Sequence, residues 1–138
     1  MSAPLYTREI LRLAATIPGV VRFEELADVP DTRSTTCGSR MRVAVALDDD
    51  GRVSSVTQAV EACAFGQAAA NLMAANATGS AAADIAAALP AIEAWLDGAD
   101  GEPWPGLMTL DPARSRRGRR GAILLPFRAL LSAIEASR

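Results

Sequence analysis

Two cysteines are the residues of this chain whose chemistry stands out, because a thiolate can act as a nucleophile or as a metal ligand. Cys37 lies in the Thr/Ser/Gly-rich segment 35–39, and Cys63 lies at the start of an alanine-rich segment. A predicted strand pair separates the two thiols, and folding back that pair would bring them together. Arg33 and Arg40 flank Cys37, and nearby positive charge favours the thiolate form.

The absence of histidine limits the chemistry that the chain can perform. Histidine is the commonest nitrogen ligand for metals and the usual acid or base near neutral pH. A Ser-His-Asp triad, a Cys-His dyad and a histidine-containing zinc site are therefore excluded. Two cysteines in 138 residues do not form a disulfide framework, so we expect reduced thiols in a cytoplasmic protein.

The composition predicts a single globular domain that covers residues 1–138. Half of the residues are apolar but only 4% are aromatic, so the core must consist mainly of Ala, Leu, Val and Ile. A net charge of −2 argues against electrostatic binding of nucleic acid. We expect no membrane contact, because no apolar run approaches the ~20 residues that span a bilayer and the N-terminus shows no signal-peptide pattern.

A β-hairpin is the element predicted to position the two thiols. Residues 41–47 alternate large apolar residues with Arg or Ala, which is typical of a strand with one apolar face. The sequence Asp-Asp-Asp-Gly at 48–51 predicts a turn, and residues 52–62 form the returning strand. Residues 20–23 are predicted to begin another strand, whereas 27–36 form an irregular connection or a short edge strand.

Helices are predicted for most of the remaining chain. Apolar residues with a period of 3.6 predict helices over residues 5–17, 64–77, 81–96 and 122–134. Ser80 is the predicted N-cap of the third helix, and Pro90 would start a new turn within it. Strands grouped before helices indicate an α+β fold, in which a small antiparallel sheet of about three strands packs against several helices.

Over nearly its whole length, the sequence resembles a known family, the IscU/NifU/SufU-type iron–sulfur cluster assembly scaffolds. The family begins with a helix that contains a Leu-Tyr pair, matched by Leu5-Tyr6. A Cys-Gly pair before the hairpin is matched by Cys37-Gly38, and a Cys-Ala pair that opens an alanine-rich helix is matched by Cys63-Ala64. The resemblance implies a SufE/NifU-like fold and one NifU-N/IscU-like domain over residues 1–138.

The chain departs from the family pattern at two positions of the expected site. The family site combines three cysteines with the carboxylate of a Cys-Gly-Asp motif. Here Ser39 replaces that Asp, and the third cysteine position falls at Ala122, or at Gly121 with a one-residue slip. The resemblance therefore implies Cys37 and Cys63 as the ligands, with Ser39 as a weak hydroxyl donor. A homodimer would supply four thiolates for a shared [2Fe–2S] cluster.

Three functions stay open at this stage. The first is a scaffold or carrier that binds iron, a [2Fe–2S] cluster or sulfur through Cys37 and Cys63, together with a cysteine desulfurase and cluster-acceptor proteins. The second is an enzyme, a sulfurtransferase that accepts persulfide sulfur on Cys37. The third is a metal-free paralogue that acts through protein interaction alone, in which the thiols are simply small buried groups. Iron is favoured over zinc, and the absence of any cofactor also stays open.

An arginine-rich run at residues 114–120 is the other notable feature. Binding of single-stranded nucleic acid would require interleaved aromatic residues and a basic protein, and neither is present. The run is therefore interpreted as a loop before the last helix that faces solvent or a partner.

Overall fold

The computed structural model describes residues 6–34 and 38–137. This part of the chain contains a three-stranded antiparallel sheet in the order β1-β2-β3, which confirms the predicted α+β fold. The strands are β1 (Thr32–Arg33), β2 (Arg40–Leu47) and β3 (Val53–Glu61). The α-helices are α1 (Arg8–Ala15), α2 (Ala64–Asn76), α3 (Ala82–Leu96) and α4 (Arg120–Ala136). Short 3-10 helices cover Phe23–Leu26, Leu107–Ala113 and Arg117–Arg119.

The β2–β3 hairpin forms as predicted from the alternating residues. Its turn is closed by Asp48, whose carboxylate accepts hydrogen bonds from the backbone N–H groups of Asp50 and Arg52, both at 2.9 Å. Gly51 adopts a φ of +77°, which glycine tolerates without steric cost. A register shift between Ala46 and Leu47 interrupts the ladder near this turn. The hairpin therefore has a fixed register, in which Arg40 is paired with Glu61.

Helix α2 lies at the centre of the helical layer. Its alanines Ala68, Ala69 and Ala70 are fully buried, and α1 and α4 both pack against the helix. Small side chains allow helix backbones to approach closely while still excluding water. Four aromatic rings supplement this aliphatic core: Phe65, Trp95, Trp104 and Phe127 are buried. No described helix has the length and apolar character that a membrane crossing requires.

The predicted strand at residues 20–23 is wrong. Val20 makes only an isolated bridge to Gln58 of β3, and the chain then enters the 3-10 helix Phe23–Leu26. Hydrogen bonds flank this bridge, from the Gln58 N–H to the Gly19 carbonyl oxygen at 2.9 Å and from the Val21 N–H to the Gln58 carbonyl oxygen at 2.8 Å. Gly19, with a φ of +68°, lies so close to β3 that a Cβ would stand 2.3 Å from the carbonyl oxygen of Val56. The contact with β3 is therefore limited to residues 19–21. The alternative of a short edge strand within 27–36 is confirmed by β1.

Several helix boundaries differ from the prediction: α1 is shorter at both ends, and α4 begins two residues earlier and ends two residues later. Helix α1 begins after Thr7, whose hydroxyl accepts a hydrogen bond from the Ile10 N–H at 3.2 Å; Leu5 lies outside the described residues. The N-cap of α3 is Ala81 instead of Ser80, because the Asp84 carboxylate accepts from the Ala81 N–H at 2.8 Å. Helix α3 continues through Pro90 without interruption.

Candidate functional site

Cys63 lies at the junction between the sheet and the helical layer. It is the N-cap residue of α2, with extended backbone angles, and its side chain makes no capping hydrogen bond. Its carbonyl oxygen accepts from the Gln67 N–H at 2.9 Å, which starts the helix. The side chain is half-buried and packs against the core. Cys63 is thus held on a rigid element while part of its surface stays accessible.

The hairpin register brings the segment before β2 to the same end of the sheet as Cys63. Because Arg40 opposes Glu61 in an antiparallel pair, the residues before Arg40 and those after Glu61 leave the sheet together. Gly38 is exposed and has a φ of +72°, a conformation that favours glycine. Cys37, the predicted sulfur acceptor and ligand, lies outside the described residues. Its proximity to Cys63 therefore stays a prediction.

Ser39, predicted as a weak hydroxyl donor, is buried with 5% of its surface exposed. Its carbonyl oxygen accepts a hydrogen bond from the Ser34 N–H at 2.9 Å. This bond ties together the two described ends of the segment that contains Cys37. The structure thus gives Ser39 a backbone role, and its hydroxyl as a ligand stays a prediction.

The position expected for a third thiol, Ala122, lies beside the first turn of α2. Ala122 is fully buried, and its Cβ is 3.3 Å from the place that a Cβ on Gly66 would occupy. The same imaginary Cβ would stand 2.7 Å from the Cβ of Ala62, so only glycine fits here without a shift. Gly66 follows Cys63 by one helical turn. Cys63 therefore lies one helical turn from the close contact between Gly66 and Ala122 that joins α2 and α4.

Four charged residues near the hairpin end form what we call the Asp31 cluster: Asp31, Arg33, Arg40 and Arg42. The Asp31 carboxylate accepts from Arg42 Nε at 2.7 Å, from Arg33 at 3.0 Å and from Arg40 at 3.4 Å. The hydrogen bond from Arg42 is the main reason that the pKa of Asp31 lies below its ordinary value. Asp31 is thus held as a carboxylate shared by three arginines.

Arg40 also connects the Asp31 cluster to β3 and to the 3-10 helix at residues 23–26. Its guanidinium donates to the Glu61 carboxylate at 3.1 and 3.3 Å and lies 4.0 Å from the centre of the Phe23 ring. The bond to Glu61 raises the pKa of Arg40 above its ordinary value. Sequence reasoning identified the arginines that flank Cys37 but missed the carboxylates of Asp31 and Glu61 that balance them.

The donor set of one chain is small for a metal or a cluster. Among residues 6–34 and 38–137, no three His, Cys, Asp or Glu side chains are grouped in a way that could hold a metal ion. Iron in a [2Fe–2S] cluster is typically held by four thiolates in total. Cys63 provides one, Cys37 would add a second, and Ala122 offers no sulfur. The residues present therefore fit a complete cluster site only with donors from outside this chain.

Comparison with solved structures identifies the class of fold. A crystal structure of a nitrogen-fixing NifU-like protein (N-terminal) from Brucella abortus shares 29% identity, covers 96% of this chain and 94% of its own, and superposes with a TM-score of 0.80. A second, described as an iron–sulfur cluster assembly scaffold for the SUF system of Fervidobacterium islandicum AW-1, shares 17% identity with a TM-score of 0.78 and covers 94% of this chain and 96% of its own. No protein-family model and no curated protein sequence matches the chain.

The chain thus has the α+β fold of the IscU/NifU/SufU-like family, as the resemblance in sequence predicted. The superposition extends over nearly the whole of both chains in each of these comparisons.

Proposed function

We propose that this chain is an iron–sulfur cluster assembly scaffold or carrier, a single NifU-N/IscU-like domain over residues 1–138. The main support is the end-to-end likeness to a NifU-like protein at 29% identity. A second support is that Cys63 and Ala122, two positions where the family pattern expects thiols, lie around the same turn of α2. Cys37 and Cys63 would bind iron, a [2Fe–2S] cluster or sulfur, with Ser39 as a weak further donor.

The cluster would be the cargo of this protein and not a resident group. One chain offers two thiolates, so two chains facing each other would supply the four that a shared [2Fe–2S] cluster needs. We favour iron over zinc as the metal that these thiolates bind. A cysteine desulfurase would supply the sulfur, and acceptor proteins would remove the cluster. We place this work in the cytoplasm, where thiols stay reduced.

Anaerobic reconstitution with iron and sulfide tests the proposal. We expect a coloured product in the dimer fraction with about one iron per chain, as one [2Fe–2S] cluster shared by two chains requires. Cys37→Ser and Cys63→Ser should each abolish the colour, whereas Ser55→Ala, an exposed change on β3, should leave it intact. A colourless, iron-free product in both monomer and dimer fractions would refute cluster binding.

Ala122→Cys tests the placement of the missing ligand. A thiol at this position would add a third sulfur beside the first turn of α2. We expect tighter iron binding and coloured protein in the monomer fraction. Ala91→Cys is the matched control, because Ala91 is an exposed alanine of another helix, α3. An equal gain from both variants would show that an added thiol acts without regard to its position.

The second candidate is a sulfurtransferase in which Cys37 accepts sulfur. It is favoured by the exposure of Gly38, the residue next to Cys37, and by the small donor set of the described residues. The Cys37 thiolate would attack the terminal sulfur of a persulfide on the desulfurase. One S–S bond would form on Cys37 as the other breaks and releases the desulfurase thiolate, so no external oxidant or reductant is needed.

Mass spectrometry after mixing with a desulfurase and cysteine tests this candidate. We expect one extra sulfur on Cys37, none on Cys63, and none in the Cys37→Ser variant. If neither sulfur transfer nor cluster binding occurs while a desulfurase still binds, the chain is a metal-free paralogue that acts by protein interaction.

A further inference from the structure

A cleft of about 850 Å³ lies between the C-terminal end of α3 and the N-terminal end of α4. We call it the arginine cleft, after the four arginines in its lining: Arg114, Arg116, Arg117 and Arg120. Asp97 and Asp111 are the two acidic residues of the lining. Four arginines against two aspartates leave the cleft with a charge of +2, although the whole chain carries −2. The cleft is therefore a positive region on an acidic protein.

Two of these arginines are held in place by the surrounding structure. Arg114 donates to the carbonyl oxygens of Trp95 and Ala99, both at 2.9 Å, and lies 4.4 Å from the centre of the Trp95 ring. Arg120 donates through two nitrogens to both carboxylate oxygens of Asp97. This pairing lowers the pKa of Asp97 and raises that of Arg120. The N–H donors of Arg114 are thus largely used by carbonyl oxygens of the same chain, and the charge of Arg120 is balanced by Asp97.

Arg116 and Arg117 differ from these two. Both are exposed, and neither forms an ion pair with any residue in the described part of the chain. Gly118 follows them at an exposed position, so no bulky side chain covers their surface. Arg117 is close enough to Asp97 for its charge to help lower the pKa of that carboxyl, but Asp97 is already bound by Arg120. The unbalanced charge of the cleft therefore lies mainly on Arg116 and Arg117.

The lining of the arginine cleft favours a protein ligand over the alternatives. The arginines already bind two carboxylates of their own chain, Asp97 and Asp111, and Leu96, Pro112 and Ala113 add an apolar part. The volume greatly exceeds that of a single small anion. The lining contains no aromatic ring on which a nucleic-acid base could stack.

We propose that the arginine cleft binds an acidic segment of a partner protein, with Arg116 and Arg117 pairing with its carboxylates. Planar guanidinium groups bind carboxylates through paired hydrogen bonds, which gives them an advantage in such recognition. Arg120 of the cleft and Ala122 of the candidate site both belong to the first turn of α4. The proposal concerns a docking surface and holds whether or not the chain carries a cluster.

An NMR titration of the ¹⁵N-labelled full chain with an octaglutamate peptide tests the proposal. We expect saturable shifts of the Gly118 amide and of the Arg116 and Arg117 Nε–H signals, strong at low ionic strength and weak at high ionic strength. Arg116→Gln together with Arg117→Gln should weaken binding about fivefold, as expected for two exposed ion pairs. The same charge change at Arg8 and Arg22, exposed positions outside the cleft, should alter affinity less than the cleft variant does.

Four outcomes would overturn the proposal. The first is the absence of saturable shifts, and the second is equal weakening by the control variant, which would indicate a general charge effect. The third is full competition by inorganic phosphate at equal concentration, which would indicate a small-anion site. The fourth is tighter binding of a single-stranded oligonucleotide of the same charge, which would indicate a nucleic-acid surface.

Discussion

The Asp31 cluster and the arginine cleft both concentrate arginines, but they differ in how those charges are balanced. In the Asp31 cluster, three arginines share one carboxylate, and Arg40 binds a second carboxylate on β3. In the arginine cleft, Arg114 and Arg120 form ion pairs with Asp111 and Asp97, whereas Arg116 and Arg117 form no ion pair with any described residue, although the charge of Arg117 also helps to lower the pKa of Asp97. The arginines of the Asp31 cluster are paired with carboxylates of the same chain, whereas Arg116 and Arg117 of the arginine cleft present their charge to solvent.

The origin of the charges in the sequence explains this difference. The Asp31 cluster combines residues of β1 and β2 with the loop that precedes β1, so strand pairing brings opposite charges together. The arginines of the cleft come from one continuous run at 114–120, and like charges in one run cannot neutralise each other. We infer that the first set of arginines holds the fold near Cys37, whereas the second set is available to a partner.

The largest predicted effect concerns the tight contact between α2 and α4, outside both arginine regions. Gly66→Ala would place a Cβ 2.7 Å from Ala62 Cβ and 3.3 Å from Ala122 Cβ. Overpacking a tight core usually costs about 1–3 kcal/mol, and alanine in place of glycine within a helix offsets up to about 1 kcal/mol of this, so we expect a net decrease in the free energy of unfolding. Urea denaturation monitored by circular dichroism measures it.

Gly118→Ala is the control for this change, because a Cβ at Gly118 meets nothing within 4 Å. We expect the control to unfold at the same urea concentration as the unchanged chain. Equal stability of the Gly66→Ala variant would show that α2 and α4 do not pack as tightly as the structure indicates.

The next prediction compares two carboxylates, Asp31 of the Asp31 cluster and Asp97 of the arginine cleft, which form ion pairs with arginines. Asp31→Asn removes the charge that three arginines share, whereas Asp97→Asn removes the partner of Arg120. We expect a lower melting temperature for both variants and a clearly larger decrease for Asp31→Asn, since Asp31 is 17% exposed and Asp97 is 61% exposed. A larger decrease for Asp97→Asn would reverse the assignment of the Asp31 cluster as the structural one.

The dependence of stability on pH gives an independent test of the same two carboxylates. Hydrogen bonds from Arg42 and Arg120 lower the pKa values of Asp31 and Asp97, respectively, below the ordinary 3.8. Their stabilising effect is therefore fully present above that value and is lost as the pH falls through the lowered pKa values. We expect Asp31→Asn and Asp97→Asn each to reduce the acid-induced loss of stability, measured by urea denaturation between neutral and strongly acidic pH.

A matched variant makes this pH test specific. Asp49 is an exposed aspartate of the hairpin turn that forms no ion pair with the described residues, so Asp49→Asn should leave the acid dependence unchanged. A uniform effect of all three substitutions would indicate general charge repulsion instead of the two specific pairs.

The hairpin shows how much of the fold could be predicted from the sequence. The alternation of apolar and polar residues, together with the Asp-Gly turn, predicts two adjacent strands. In the structure, the pairing of these strands places the residues before Arg40 beside those after Glu61. The Arg40–Glu61 pair was nevertheless missed, because the register shift at Ala46 changes the pairing that one obtains by counting from the turn. The strand predicted at residues 20–23 failed for a related reason, since the short contact that residues 19–21 make with β3 depends on β3 already being in place.

The candidate site was predictable only in part. Cys63 at the start of a helix follows from local sequence and is confirmed as the N-cap of α2. The contact between Gly66 and Ala122 joins helices that are separated by more than 40 residues, and no local periodicity encodes such a contact. The sequence of the arginine run predicts a loop that faces solvent or a partner, whereas the structure has a 3-10 helix at Arg117–Arg119 and the start of α4 at Arg120. The cleft itself depends on how the ends of α3 and α4 meet.

The smallest predicted effect concerns Arg116 and Arg117, the two exposed arginines of the cleft. Arg116→Gln together with Arg117→Gln should change the free energy of unfolding by no more than about 0.5 kcal/mol, as is usual for surface positions without specific contacts. Arg40→Gln should lower stability measurably, because it removes bonds to Asp31 and Glu61 and the contact with Phe23. Urea denaturation of both variants at neutral pH measures the difference. If the double variant were the less stable of the two, Arg116 and Arg117 would have a structural role, and their charge would not be available to a partner.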